Sequence, residues 1–199
     1  MLIRFGILAL ILCSAYLLPR LDLAQAWDEA AISNLTVART PQWTGFFVFI
    51  TRASDTRGFL VALLLPTLVF FWRRRWATGL WYLLGVGLLK LSISGLKILL
   101  GRARPEDGLE LLHTLSMPSG HAANAVFIFG LLAIFLWPRI HSPVGRSFLL
   151  LFALAGVLLV DLSRVYLAVH YPSDVLVGSL YTACGLWILQ GMRKDIFTL

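Results

Sequence analysis

Long apolar runs, broken only by short basic or polar joints, constrain this chain more than any other feature. Hydrophobic residues make up 59% of the 199 positions and charged residues only 14%. A soluble domain of this length would not carry so much apolar sequence. Backbone polar groups in lipid must be satisfied within the segment, which favours helices over open strands. The runs at about 2–18, 58–72, 76–100, 118–137, 147–168 and 173–190 therefore predict an all-α, polytopic membrane helical bundle of six transmembrane helices, forming a single integral membrane domain over residues 1–199. The 58–72 run, 15 residues long, is short for a bilayer at about 22 Å of helix against roughly 30 Å of hydrocarbon, so its helix is expected to begin before Gly58 or to rely on the flanking Trp72 and arginine side chains. The first run has the apolar core of a signal peptide but no clean small-x-small cleavage site, and a retained helix ending at Pro19-Arg20 is expected.

Residues 19–57 are mixed. Leu23 to Val37 can form an amphipathic helix with Trp27, Ala30, Ala31 and Leu35 on one face, while Trp43 to Ile50 is apolar but too short to span. Both suit an interfacial helical segment between the first two spans, with an ordinary connecting loop as the plain alternative. Loop charges set the orientation. Arg4, Arg73, Arg74, Arg75, Arg139, Arg146, Arg193 and Lys194 fall on one side, opposed only by Asp195, whereas residues 19–57 balance basic against acidic side chains. The positive-inside rule then puts both termini in the cytoplasm of an inner (plasma) membrane protein, with the polar 101–117 loop and the 163–174 segment together on the periplasmic or extracellular side. The net charge of +7 lies in these loops rather than in a basic tail, which argues against a nucleic-acid partner. Cys13 and Cys184 sit inside predicted spans with no paired spacing and read as small apolar residues.

The chemistry gathers around Met117-Pro118-Ser119-Gly120-His121, just before the apolar run to Trp137. Proline suits a first helical turn, and free N–H groups of Ser119, Gly120 and His121 at a helix start would attract an anion. Ordinary turn chemistry explains such a stretch equally well when it stands alone. Two flanking segments add to it: Lys97 with Arg104-Pro105 upstream, and Ser163-Arg164, His170 and Asp174 downstream. Three cations at one membrane face call for an anion, although each alone could be a side chain facing lipid headgroups. His170 and Asp174 fit a nucleophile and its orienter, or else a surface histidine and a helix-capping acid. Pro172 between them implies that they meet across a helix start.

The three segments, in this order across roughly residues 97–174, resemble the signature of the type 2 phosphatidic acid phosphatase superfamily, the lipid phosphate phosphatases. The resemblance implies a hydrolase, metal-independent and without cofactor, acting on a membrane lipid phosphate or diphosphate: undecaprenyl diphosphate, phosphatidylglycerophosphate or phosphatidic acid. It implies that His170 attacks phosphorus to give a phosphohistidine, and that His121 protonates the leaving oxygen and then activates water. Lys97, Arg104, Arg164, the Ser119 hydroxyl and the Gly120 N–H would hold the phosphate oxygens. A phosphotransferase with a non-water acceptor would use the same residues, and a non-catalytic lipid-phosphate-binding protein would lack one histidine. Arg102 is a secondary candidate phosphate ligand, while His113 and His141 match nothing and read as loop residues. Lys90 and Asp161 lie within apolar spans, where an unpaired charge is costly. They are expected to pair with each other, or Asp161 to hold Arg164, with Lys90 snorkelling alone as the plain alternative.

Overall fold

The computed structural model describes residues 1–52, 54–110, 112 and 114–192, and among these it is all helix, turn and loop. The elements are α1 (Leu2–Leu17), α2 (Asp22–Val37), α3 (Pro41–Arg52), α4 (Thr56–Trp72), α5 (Trp76–Leu100), α6 (Gly120–Ala125), α7 (Leu131–Leu136), α8 (Pro143–Tyr166) and α9 (Pro172–Met192). A π-helical turn, Val126–Gly130, joins α6 to α7, so that Gly120–Arg139 runs as one span. Among the described residues, six helical stretches are long and apolar enough to cross a membrane. The fold is the expected all-α membrane bundle, with α2 and α3 between the first span and α4.

The short second span does begin early. Asp55 caps α4, its carboxylate accepting the N–H groups of Arg57 at 2.8 Å and Gly58 at 3.1 Å. Pro66 lies inside α4 and cannot donate to the carbonyl four residues back, that of Ala62. The Tyr82 hydroxyl from α5 donates to that carbonyl at 2.6 Å, so the proline leaves no orphaned acceptor in lipid. The turn between α4 and α5 uses Arg74 at φ 57°, and Gly79 admits the Phe71 ring where a Cβ would stand 2.5 Å from it. Around this hairpin Phe59, Phe70, Tyr82, Phe127, Phe135 and Leu186 form the main core.

Several boundaries differ from expectation. The fourth span begins at Gly120 rather than Pro118, because the Ser119 side chain caps it by accepting the Ala122 N–H at 3.4 Å. The fifth begins at Pro143, capped by Ser142, rather than at Ser147. In α2 the buried residues are Asp28 and Ile32, whereas Trp27 is exposed; the inward stripe runs Asp28, Ile32, Leu35 and not through Trp27. Its inward anchor is a carboxylate, which a search for an apolar stripe passes over. Arg193 and Lys194, used for orientation, and His113 lie outside the described residues.

Candidate active site

α9 starts two residues after His170, at Pro172, and its first turn builds one wall of the site. Tyr171 precedes Pro172, and Asp174 in the third helical position reaches back to accept the Tyr171 N–H at 2.9 Å. The same oxygen, Oδ2, lies 3.5 Å from His170 Nδ1 and accepts the Ser116 hydroxyl. The two residues thus meet across the helix start, as Pro172 implied. Ser116 Oγ is itself 3.4 Å from Nδ1. On the other edge of the ring, Nε2 lies 3.2 Å from Arg104 Nη1. Asp174 favours the tautomer with the proton on Nδ1, and Nε2 keeps its lone pair on the side where Arg104 stands. His170 is 1% exposed. Burial pushes its pKa down to about 4; Asp174 opposes this, and Arg104 and Lys97 add to it. At neutral pH the imidazole is uncharged.

The cations arrive from different elements. α5 ends at Leu100 with Gly101 at φ 65°, so Arg104 comes from the following loop and not from a continued helix. Lys97 and Arg104 nevertheless converge on one strip of backbone. Lys97 donates to the carbonyls of Leu115 at 2.7 Å and Ser116 at 3.1 Å. Arg104 donates to the Thr114 carbonyl at 2.6 Å, to the Thr114 hydroxyl at 2.9 Å and to the Val169 carbonyl. Arg164, fully buried near the end of α8, donates to Thr51 Oγ1 at 2.8 Å and pairs with Glu110 at 3.1 Å, while its Nε has no partner among the described residues. Ala168, at φ 51°, turns the chain between α8 and His170, a conformation that costs about 1–2 kcal/mol for a residue with a Cβ.

The Ser119-Gly120-His121 start packs directly on α9. A Cβ on Gly178 would stand 2.6 Å from the Ser119 carbonyl, so glycine there permits the approach. The Ser119 N–H donates to the Asp174 carbonyl at 3.0 Å and is therefore not one of the free donors expected. The N–H groups of Gly120 and His121 have no acceptor among the described residues. His121 is half-buried and within electrostatic reach of Arg164, His170, Lys90 and Asp55. His141 is an exposed loop residue.

Two expectations fail. Arg102 is not available to a ligand: Nη1 donates to Asp174 Oδ1 at 2.6 Å and Ser173 Oγ at 2.7 Å, Nη2 pairs with Asp28 at 2.6 Å, and the guanidinium covers the Tyr171 ring at 4.2 Å. Burial works against its charge, but Asp174 and Asp28 outweigh burial and hold its pKa above the usual value. Lys90 and Asp161 do not pair. The Lys90 ammonium donates to Asn124 Oδ1 at 2.5 Å, Asp161 accepts from Ser179 at 2.8 Å, and Arg164 is held by Thr51 and Glu110 instead. The cost of an unpaired charge in an apolar span calls for a partner, but α5 and α8 present these two charges to different neighbours.

Sequence reasoning missed Asp28, which is 1% exposed and accepts both the N–H and the hydroxyl of Ser173, capping α9 from another helix. It also missed Ser116 and Asn124. The signal for Asp28 was its place in the stripe with Ile32 and Leu35; nothing local marks Ser116. Among the described residues, no group of three or more His, Cys, Asp or Glu side chains is placed to hold a metal ion.

The sequence matches the family profile described as PAP2 superfamily over residues 78–197. It is 34% identical to phosphatidylglycerophosphatase B of Bacillus subtilis over 183 residues, covering 86% of each chain. It is 29% identical to the lipid A 4'-phosphatase of Bacteroides thetaiotaomicron over 130 residues, 57% of this chain and 54% of that one. Its fold is similar to a solved transmembrane PAP2-type phosphatidylglycerolphosphate phosphatase from Bacillus subtilis, with TM-score 0.80, 27% identity, and coverage of 98% of this chain and 96% of that one. It is also similar to Aquifex aeolicus LpxE, with TM-score 0.54, 26% identity, and coverage of 80% and 92%. The chain belongs to the PAP2 superfamily and is a membrane-integral lipid phosphatase.

Proposed function

We propose that the protein, as one domain, hydrolyses a lipid phosphate at the outer face of the membrane through a phosphohistidine on His170. The observation that carries this reading is the buried His170, with Nδ1 3.5 Å from Asp174 Oδ2 and Nε2 3.2 Å from Arg104 Nη1, an arrangement that suits a neutral ring with its lone pair on Nε2. Nε2 attacks phosphorus, and the phosphorus–oxygen bond to the lipid breaks with its electron pair on the lipid oxygen. His121 gives that oxygen a proton. Asp174 stabilises the positive imidazole ring that forms. His121 then takes a proton from water, which attacks phosphorus and returns the electron pair of the phosphorus–nitrogen bond to Nε2. Lys97, Arg104, Arg164, Ser119 Oγ and the Gly120 N–H hold the equatorial oxygens. The step needs positioning and charge stabilisation, which fixed cations supply.

The outward orientation rests on the basic joints: Arg73, Arg74 and Arg75 follow α4, and Arg139 and Arg146 flank the start of α8, at the ends of spans opposite to His170. The substrates considered are undecaprenyl diphosphate, phosphatidylglycerophosphate and phosphatidic acid.

Phosphate release from these three lipids by purified protein, with EDTA present, tests the reading. Release should persist in EDTA, and the rank order identifies the lipid. The rate–pH profile should be bell-shaped. Since His170 must be neutral to attack, and burial holds its pKa near 4, its protonation should cut the rate only as pH falls towards about 4, below the 6.5 of a free imidazole. A flat profile between pH 5 and 9, or no release from folded protein, would remove the assigned roles.

A further inference from the structure

Lys90 is a cation beside the site that the mechanism does not use, and, unlike Arg102, it is neutralised by no carboxylate among the described residues. It stands seven residues before Lys97 on α5, about 10 Å deeper along the helix axis. Its ammonium ends 3.9 Å from where a Gly120 Cβ would lie, so it sits directly beneath the start of α6 that carries His121. Its contacts are Asn124 Oδ1 at 2.5 Å and the face of Phe59 at 5.3 Å. Among the described residues no carboxylate lies within ion-pair distance of it, since Asp161 turns to Ser179. Asn124 in turn donates to the carbonyls of Ser54 and Asp55 at 2.9 and 3.2 Å, which fixes the oxygen that holds Lys90. An ammonium has three donors, and one is used by this amide. A charge kept at this depth without a counter-ion is expensive unless an anion joins it.

Position then says which anion. In the proposed reaction His170 attacks the terminal phosphorus from one side, and the leaving group departs on the side of His121. For a phosphate monoester that leaving group is an alcohol. For a diphosphate it is a lipid monophosphate, which brings a second anionic group past His121 towards the lipid. Lys90 lies there.

We propose that Lys90, held by Asn124, forms a second-phosphate subsite that binds the leaving phosphate of a lipid diphosphate. The inference rests on the phosphatase reading and deepens it. The bond broken is that between the terminal phosphorus and the bridging oxygen; the electron pair stays on the bridging oxygen, now part of a lipid monophosphate paired with Lys90. Water completes the cycle at His170 as before, giving inorganic phosphate.

The test compares farnesyl diphosphate with farnesyl monophosphate, the same chain with and without the second phosphate, in detergent micelles. In Lys90→Met, kcat/KM for the diphosphate should fall at least about tenfold more than for the monophosphate, and Lys90→Arg should restore most of the difference. In the unsubstituted protein, methylenediphosphonate should inhibit at least about tenfold more tightly than methylphosphonate, a measurement that needs no variant to fold. Equal losses for the two lipids, or equal inhibition by the two phosphonates, would overturn the subsite while leaving the phosphatase intact. If the unsubstituted protein hydrolyses neither lipid, the phosphatase reading falls and the subsite with it.

Discussion

The two ends of the bundle are held together by different physics. At the end that carries Phe70 and Phe135, the contacts are aromatic: Phe70 lies 6.0 Å from Tyr82 and 6.3 Å from Phe135, ring centre to ring centre, and Tyr82 lies 5.8 Å from Phe135. Two of these three residues come from one hairpin, α4–α5. At the end that carries His170, the contacts are polar and buried, and they tie remote parts of the chain. Asp28 reaches Ser173 across 145 residues, and Arg164 reaches Thr51 across 113. An aromatic cluster tolerates adjustment because its contacts are many and non-directional. A buried polar network does not, because each lost partner leaves a desolvated group behind. The difference implies that substitutions at the aromatic end act through stability alone, whereas those at the polar end also change the reaction.

His170→Ala should show the largest effect: a loss of at least about 10⁴-fold in kcat, with the unfolding midpoint in detergent little changed. Retained turnover would place the nucleophile elsewhere. Phe70→Ala should do the reverse, costing about 3–5 kcal/mol of unfolding free energy while KM stays within about threefold. A large change in KM with no loss of stability would break the division between the two ends.

The smallest effect sharpens the contrast within the polar end itself. Arg102 and Arg104 are two residues apart, yet one is neutralised by Asp28 and Asp174 and the other leans on carbonyls beside His170. Arg102→Gln should lower kcat by about 10–100-fold through misplacement of Asp174, with KM for the lipid nearly unchanged. Arg104→Gln should raise KM as well. If both variants raised KM alike, Arg102 would be a phosphate ligand after all.

How much of this was legible in the sequence follows from the range of each interaction. The spans were, because a run of apolar residues announces itself locally, and the deviations at Gly120 and Pro143 are capping choices made by Ser119 and Ser142. His121, Arg104, His170 and Asp174 were legible because their spacing is distinctive. Their supports were not. Ser116 and Asn124 lie in segments whose local chemistry is unremarkable, and only tertiary packing brings Ser116 to Asp174 of α9 and Asn124 to Lys90 of α5 and the carbonyls of Ser54 and Asp55. Asp28 escapes an apolar-stripe reading because it is a carboxylate on the inward face of α2, beside Ile32 and Leu35. The cost of an unpaired charge in lipid calls for partners for Lys90 and Asp161, but it does not specify which way a side chain faces around its helix.

Trapping the intermediate tests the central claim most directly. Incubation with a radiolabelled lipid phosphate, a rapid quench and peptide mapping should recover an acid-labile, alkali-stable phosphoryl group on the peptide containing His170. It should be absent in His170→Gln. Label on another residue, or steady hydrolysis with no label under conditions that slow the water step, would contradict the account.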